Sequence, residues 1–66
     1  MSAYDVLTFS KLLSQYNKER SQEVRLHLLK EMFRLFYYYM SPQDKKNIYQ
    51  IVDEETIRII INTGSI

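Results

Sequence analysis

Apolar positions recur at helical spacing through almost the whole chain, and the width of the apolar arc changes from one segment to the next. At about 100° per residue, Val6, Phe9, Leu12, Leu13 and Tyr16 share an arc of roughly 120°, while Lys11, Ser14, Gln15 and Lys18 fall elsewhere. This spacing predicts an amphipathic helix over 2–19 with Ser2 as its cap and with Tyr4 and Leu7 outside the stripe. The polar run NKERSQ then breaks the pattern, and Ser21 is the expected N-cap of the next helix, with Gln22 and Glu23 in its first turn.

That second, long central helix, about 22–40, is of a different kind. Its apolar residues sweep through roughly 220° of the helical wheel. Val24, Leu28, Met32, Leu35, Phe36 and Tyr39 form the part assigned to the chain's own core. Leu26, Phe33, Tyr37 and Met40 mark the far edge, and Tyr38 joins Glu23, His27, Lys30, Glu31 and Arg34 on the polar stripe. Arg25 lies inside the apolar arc near the helix start, where its stem can cover apolar surface while the guanidinium reaches water.

Ser41, Pro42 and Asp44 make an S-P-x-D start signal: a side-chain cap, a proline at the first helical position and a carboxylate at the positive end of the helix dipole. A third helix therefore begins at Pro42, with Ile48, Tyr49, Ile51 and Val52 as its expected buried face and Lys45, Lys46 and Gln50 outward. The segment 54–62 reads as a short helix capped by Asp53, with Ile57, Ile60 and Ile61 on one face and Gly64 as a left-handed terminus. The alternative is a β-strand with Ile57, Ile59 and Ile61 alternating, which in a helical chain would have to pair across a dimer. The expected fold class is thus all-α: a compact bundle of three to four helices in a single domain, 1–66.

Size then changes the picture. A chain of 66 residues buries only about 60% of the surface its unfolded form exposes, so such domains lean on disulfides, a metal or a partner. There is no cysteine, which removes disulfides and thiolate metal sites. A net charge of +1 lacks the basic excess of a typical nucleic-acid or anionic-membrane binder. No apolar run is long enough to span a bilayer, and MSAYDVL lacks the order of a signal peptide, so the expected location is cytoplasmic.

The residues that could carry chemistry are few. His27 lies between Glu23 and Glu31 at four-residue spacing, but a zinc site needs three or four ligands and the chain has no second His and no Cys. Asp53, Glu54 and Glu55 read as helix-start carboxylates rather than as an acid/base pair. With a single glycine, Gly64, no phosphate-cradling or oxyanion loop can be built. No catalytic residue, cofactor or metal is expected. The excess apolar surface of the central helix points instead to partner binding through Leu26, Phe33, Tyr37, Tyr38 and Met40, some of which should stay uncovered in an isolated chain. The expected function is a non-enzymatic, regulatory protein-binding module that forms a homodimer and modulates a larger protein as an inhibitor, antirepressor or adaptor. The alternative is a small DNA-binding transcriptional regulator with a helix-turn-helix-like element around 34–52 and Lys45 and Lys46 near the start of its recognition helix.

Overall fold

Arg25 joins the first two helices at their junction. In a computed structural model, which describes residues 2–65 and the side chains of residues 5–65, helix α1 spans Ser2–Lys18 and α2 spans Gln22–Arg34. The expected cap at Ser2 and the placement of Tyr4 fall on side chains outside that range. Ser21, in extended backbone conformation, caps α2 by accepting from the Val24 N–H at 3.4 Å. One helical turn on, Arg25 Nη1 donates to the carbonyls of Tyr16 at 2.8 Å and Glu19 at 3.0 Å, and its guanidinium lies 4.0 Å above the Tyr16 ring. The headgroup therefore does not simply reach water. It satisfies carbonyls at the end of α1 and places a positive charge at the negative end of that helix dipole.

The central helix keeps its expected extent but not a uniform pitch. After Arg34 it widens into a π turn, Leu35–Tyr39, closed by the Met40 N–H donating to the Leu35 carbonyl at 3.0 Å. A turn closed over five residues delays each later side chain by about one position relative to an α-helix. Tyr39, assigned to the core on a uniform wheel, is 63% exposed, and Met40, assigned to the outer edge, is 6% exposed. Met32, Phe36 and Met40, spaced by four, all join the core. The exchange is favourable because a thioether can be buried without a hydrogen-bond partner, whereas a buried phenol needs one.

Met40 then turns into extended conformation and α3 follows at Pro42–Ile51, with the Ser41 hydroxyl accepting from the Asp44 N–H at 3.2 Å. The expected start is therefore present, but the buried face is narrower than expected. Asp44, Ile48 and Val52, spaced by four, are buried, while Tyr49 and Ile51 are 56% and 59% exposed. The reason is that α3 packs chiefly on α1 and makes little contact with α4, so only one narrow stripe is covered.

The last segment is a helix, α4, Glu54–Ser65, and no strand occurs among the described residues. Asp53 stands at the position before it as expected, its backbone carbonyl accepting from the Ile57 N–H at 3.2 Å and its carboxylate accepting from the Thr56 hydroxyl at 2.6 Å. Ile57 and Ile60 are buried and Ile61 packs beside them. Gly64 does not supply a left-handed terminus: no glycine has positive φ, and the helix runs through it. Its lack of a side chain serves packing, because a Cβ there would run into the Phe33 ring of α2. Phe9, Met32, Phe36, Ile48 and Ile60 bring α1, α2, the π turn, α3 and α4 into one core. The radius of gyration, 11.0 Å, matches the roughly 11 Å of a compact chain of this length. No helix among the described residues is long and apolar enough to cross a membrane.

Two outcomes follow from the packing and capping of α4. Gly64→Ala gains about 1 kcal/mol of helix propensity but forces Phe33 to move, at about 1–3 kcal/mol; urea unfolding should show a net loss of stability. The Thr56 hydroxyl, followed by a small opposing effect of burial and then by backbone N–H groups, holds the Asp53 carboxyl below its usual range. A lowered folded-state pKa stabilises fully above the unfolded value of about 3.9 and is lost as pH falls through the folded value. The difference in urea midpoint between wild type and Asp53→Asn should therefore hold steady near neutral pH and shrink as the solution is acidified below about pH 4.

Candidate functional site

Two buried phenylalanines of the central helix hold a set of exposed tyrosines in place. Phe33, buried against α4, stacks on Tyr37 with ring centroids 5.0 Å apart and planes at 14°. Tyr38 stands edge-on to both, 6.1 Å from Phe33 and 5.7 Å from Tyr37. Phe36, packed on Phe9 of α1 at 6.3 Å, carries Tyr49 of α3 edge-on at 5.5 Å. Lys45 bridges the two groups, its Nζ 5.8 Å from the Phe36 centroid and 5.6 Å from that of Tyr37. A continuous face results, running from Tyr38 through Tyr37 and Lys45 to Tyr49.

Each ring in this face has its buried end fixed by packing and its outer part in solvent. Tyr37, Tyr38 and Tyr49 are 55%, 70% and 56% exposed, which at about 200 Å² per tyrosine presents roughly 360 Å² of residue surface. Because edge-on and stacked contacts already restrict the rings, a partner would meet surface whose rotamer entropy is largely spent. The whole molecule exposes 4823 Å² against about 4,450 Å² for a compact monomer of this mass. Other exposed apolar side chains, Leu7, Leu26, Ile51 and Ile59 among them, are spread over all four helices, and the tyrosines are the ones that the ring contacts join into a cluster.

Beyond Tyr49 the face continues into a groove of about 270 Å³, left where α3 and α4 diverge and lined by Tyr49, Glu54, Ile57, Arg58, Ile61 and Asn62. Its floor is isoleucine and its rim is charged. Arg58 lies 3.9 Å from both Glu54 and Glu55, distances and exposures at which an ion pair is worth little.

Of the five residues expected to meet a partner, the structure brings two together. Tyr37 and Tyr38 are exposed neighbours; Leu26, 46% exposed, lies eleven residues earlier on the same helix, about 16 Å along its axis. Phe33 and Met40 are buried, at 8% and 6%, Phe33 under the tyrosines it supports and Met40 through the π turn. Tyr49 was missed because the wheel placed it in the core. Its signal was present in part, since it lies on the side of α3 that also carries Lys45 and Lys46. Lys45, expected to point outward, is half-buried against the rings.

The remaining polar residues are dispersed. His27 and Glu23 are exposed, Glu31 pairs with Arg34 at 3.5 Å, and no group of three potential metal ligands comes together among the described residues. Asp44, 2% exposed, has one carboxylate oxygen without a hydrogen-bond partner among the described residues. Its charge sits in the first turn of α3, where the helix dipole favours it.

The distinction between support and surface has a direct consequence. Phe33→Ala should cost about 3–5 kcal/mol, a third or more of the roughly 3–10 kcal/mol available to a chain of this length, and thermal circular dichroism should show a strongly lowered midpoint. Tyr38→Ala should stay within about 0.5 kcal/mol of wild type. No family model, no curated protein and no solved structure matches this chain, and the geometry of the aromatic face is what its functional reading rests on.

Proposed function

We propose that the protein is a non-enzymatic, regulatory protein-binding module of the cytoplasm. It self-associates as a homodimer and engages a larger protein, in the manner of an inhibitor, antirepressor or adaptor, through the tyrosine face. The observation that carries this reading is the pairing of exposed Tyr37 and Tyr38 with the buried ring of Phe33. Aromatic anchors that are rigid, apolar in body and polar at the tip are what interface centres collect. The scattered positions of the titratable groups give no support to an enzyme. DNA binding draws less support than protein binding, because Lys45, one of its two expected contacts, is half-buried over Phe36 and Tyr37.

Sedimentation velocity across the micromolar range tests the proposal. A dimer is expected for wild type, and Tyr37→Asp or Tyr38→Asp should convert it to a folded monomer. A wild-type chain that stays monomeric at high micromolar concentration overturns self-association. Duplex binding that weakens steeply with salt and disappears in Lys46→Glu would favour the DNA-binding regulator instead.

A further inference from the structure

Lys45 stands in the middle of the aromatic face, and the chain gives it nothing to pair with. Its side chain is half-buried, with Nζ over the rings of Phe36, which carries Tyr49, and of Tyr37, which stacks on Phe33. The ion pairs among the described residues involve Arg34 and Arg58 and neither Lys45 nor Lys46. Ring faces attract a cation but do not replace its hydration. A surface that covers Tyr37 and Tyr49 strips solvent from the ammonium between them, and an ammonium taken out of water without an acceptor is strongly unfavourable. Whatever covers this face must therefore bring an anion to its centre. Lys46, exposed and one turn before Tyr49 on the same side of α3, adds a second cation at the edge.

The same geometry narrows the source of that anion. The chain's own carboxylates are mostly engaged: Glu19 accepts from the Ser21 N–H, Glu31 pairs with Arg34, Asp53 accepts from Thr56, Asp44 is buried, and Glu54 and Glu55 stand beside Arg58. A second copy thus has little to offer Lys45. Stacked bases of a nucleic acid need free ring faces, whereas Tyr37 already has Phe33 stacked on it and Lys45 over it. A carboxylate set among apolar side chains meets both demands, covering the rings and satisfying the ammonium.

We infer that the larger partner presents an acidic amphipathic segment, with an Asp or Glu side chain seated on Lys45 and apolar side chains on either side of it against Tyr37 and Tyr49. This rests on the engagement of a larger protein proposed above and names the chemistry of the segment that protein presents.

Amide NMR titration of the full chain tests the inference with stated probes: a short capped peptide of Leu, Phe and Glu in which acids separate the apolar residues, the same peptide with Lys at every Glu, and oligothymidylate. The Glu peptide should shift amides of the π turn and α3, with an affinity that falls as salt rises, and the Lys peptide should not. Lys45→Met keeps an apolar stem over the rings and removes the ammonium; with its far-ultraviolet circular dichroism unchanged, it should bind the Glu peptide at least about tenfold more weakly. Equal binding of the Glu and Lys peptides, or undiminished binding in Lys45→Met, would overturn the acidic partner and leave the tyrosine face standing as an apolar one. Tighter binding of oligothymidylate than of the Glu peptide would overturn it in favour of a nucleic acid. If these amides shift on dilution of the chain alone and with no probe, a second copy is the occupant, and the acidic partner falls while self-association stands. No shift at these amides under any of these conditions would overturn both the acidic partner and the tyrosine-face proposal beneath it.

Discussion

The hydrogen bond from the Met40 N–H to the Leu35 carbonyl spans five residues instead of four, and the sorting of aromatic side chains depends on it. The widened turn rotates Tyr39 away from the Met32–Phe36 stripe and keeps its phenol in water, while Met40, at a spacing of four from Phe36, joins the core. Met40 then leaves the helix in extended conformation, which sets the short corner to Ser41 and the direction of α3. The turn therefore sets which rings of the central helix face water and where α3 begins.

A short chain must use each large side chain economically, and here the phenylalanines serve two surfaces. Phe33 meets α4 at Gly64 and carries Tyr37 and Tyr38 on its outer side; Phe36 packs on Phe9 and carries Tyr49. The exposed rings are therefore extensions of the core and not loose surface residues. This explains how a molecule with nearly the accessible area of a closed monomer still presents a defined aromatic face.

The starts of helices were legible because they are written in local chemistry: Ser21 before α2, Ser41–Pro42 before α3 and Asp53 before α4 all act as their side chains suggest. The first helix's stripe and the exposure of Leu7 were legible from periodicity alone. Three features were not, each for a different reason. The exposure of Tyr39 follows from a change of pitch that a uniform wheel cannot represent. The grip of Arg25 on Tyr16 and Glu19 requires knowing that α1 ends beside it. Gly64 read as a terminus because glycine permits left-handed backbone, whereas its missing Cβ makes room for a ring thirty-one positions earlier. The exposure of Tyr37 and Tyr38 was legible as apolar surface beyond what so short a chain can cover; that of Tyr49 was not, because less of α3 is seated than its periodicity suggests.

The grip of Arg25 on Tyr16 closes over only nine residues, a separation that a polypeptide samples in well under a microsecond. The pairing of the first two helices is consequently a local event, able to precede contacts of greater sequence separation. The ring of Phe33 gains its last cover only when Gly64 arrives. Helix α4, packed on α2, is therefore the cover that closes the core over this early-forming pair of helices.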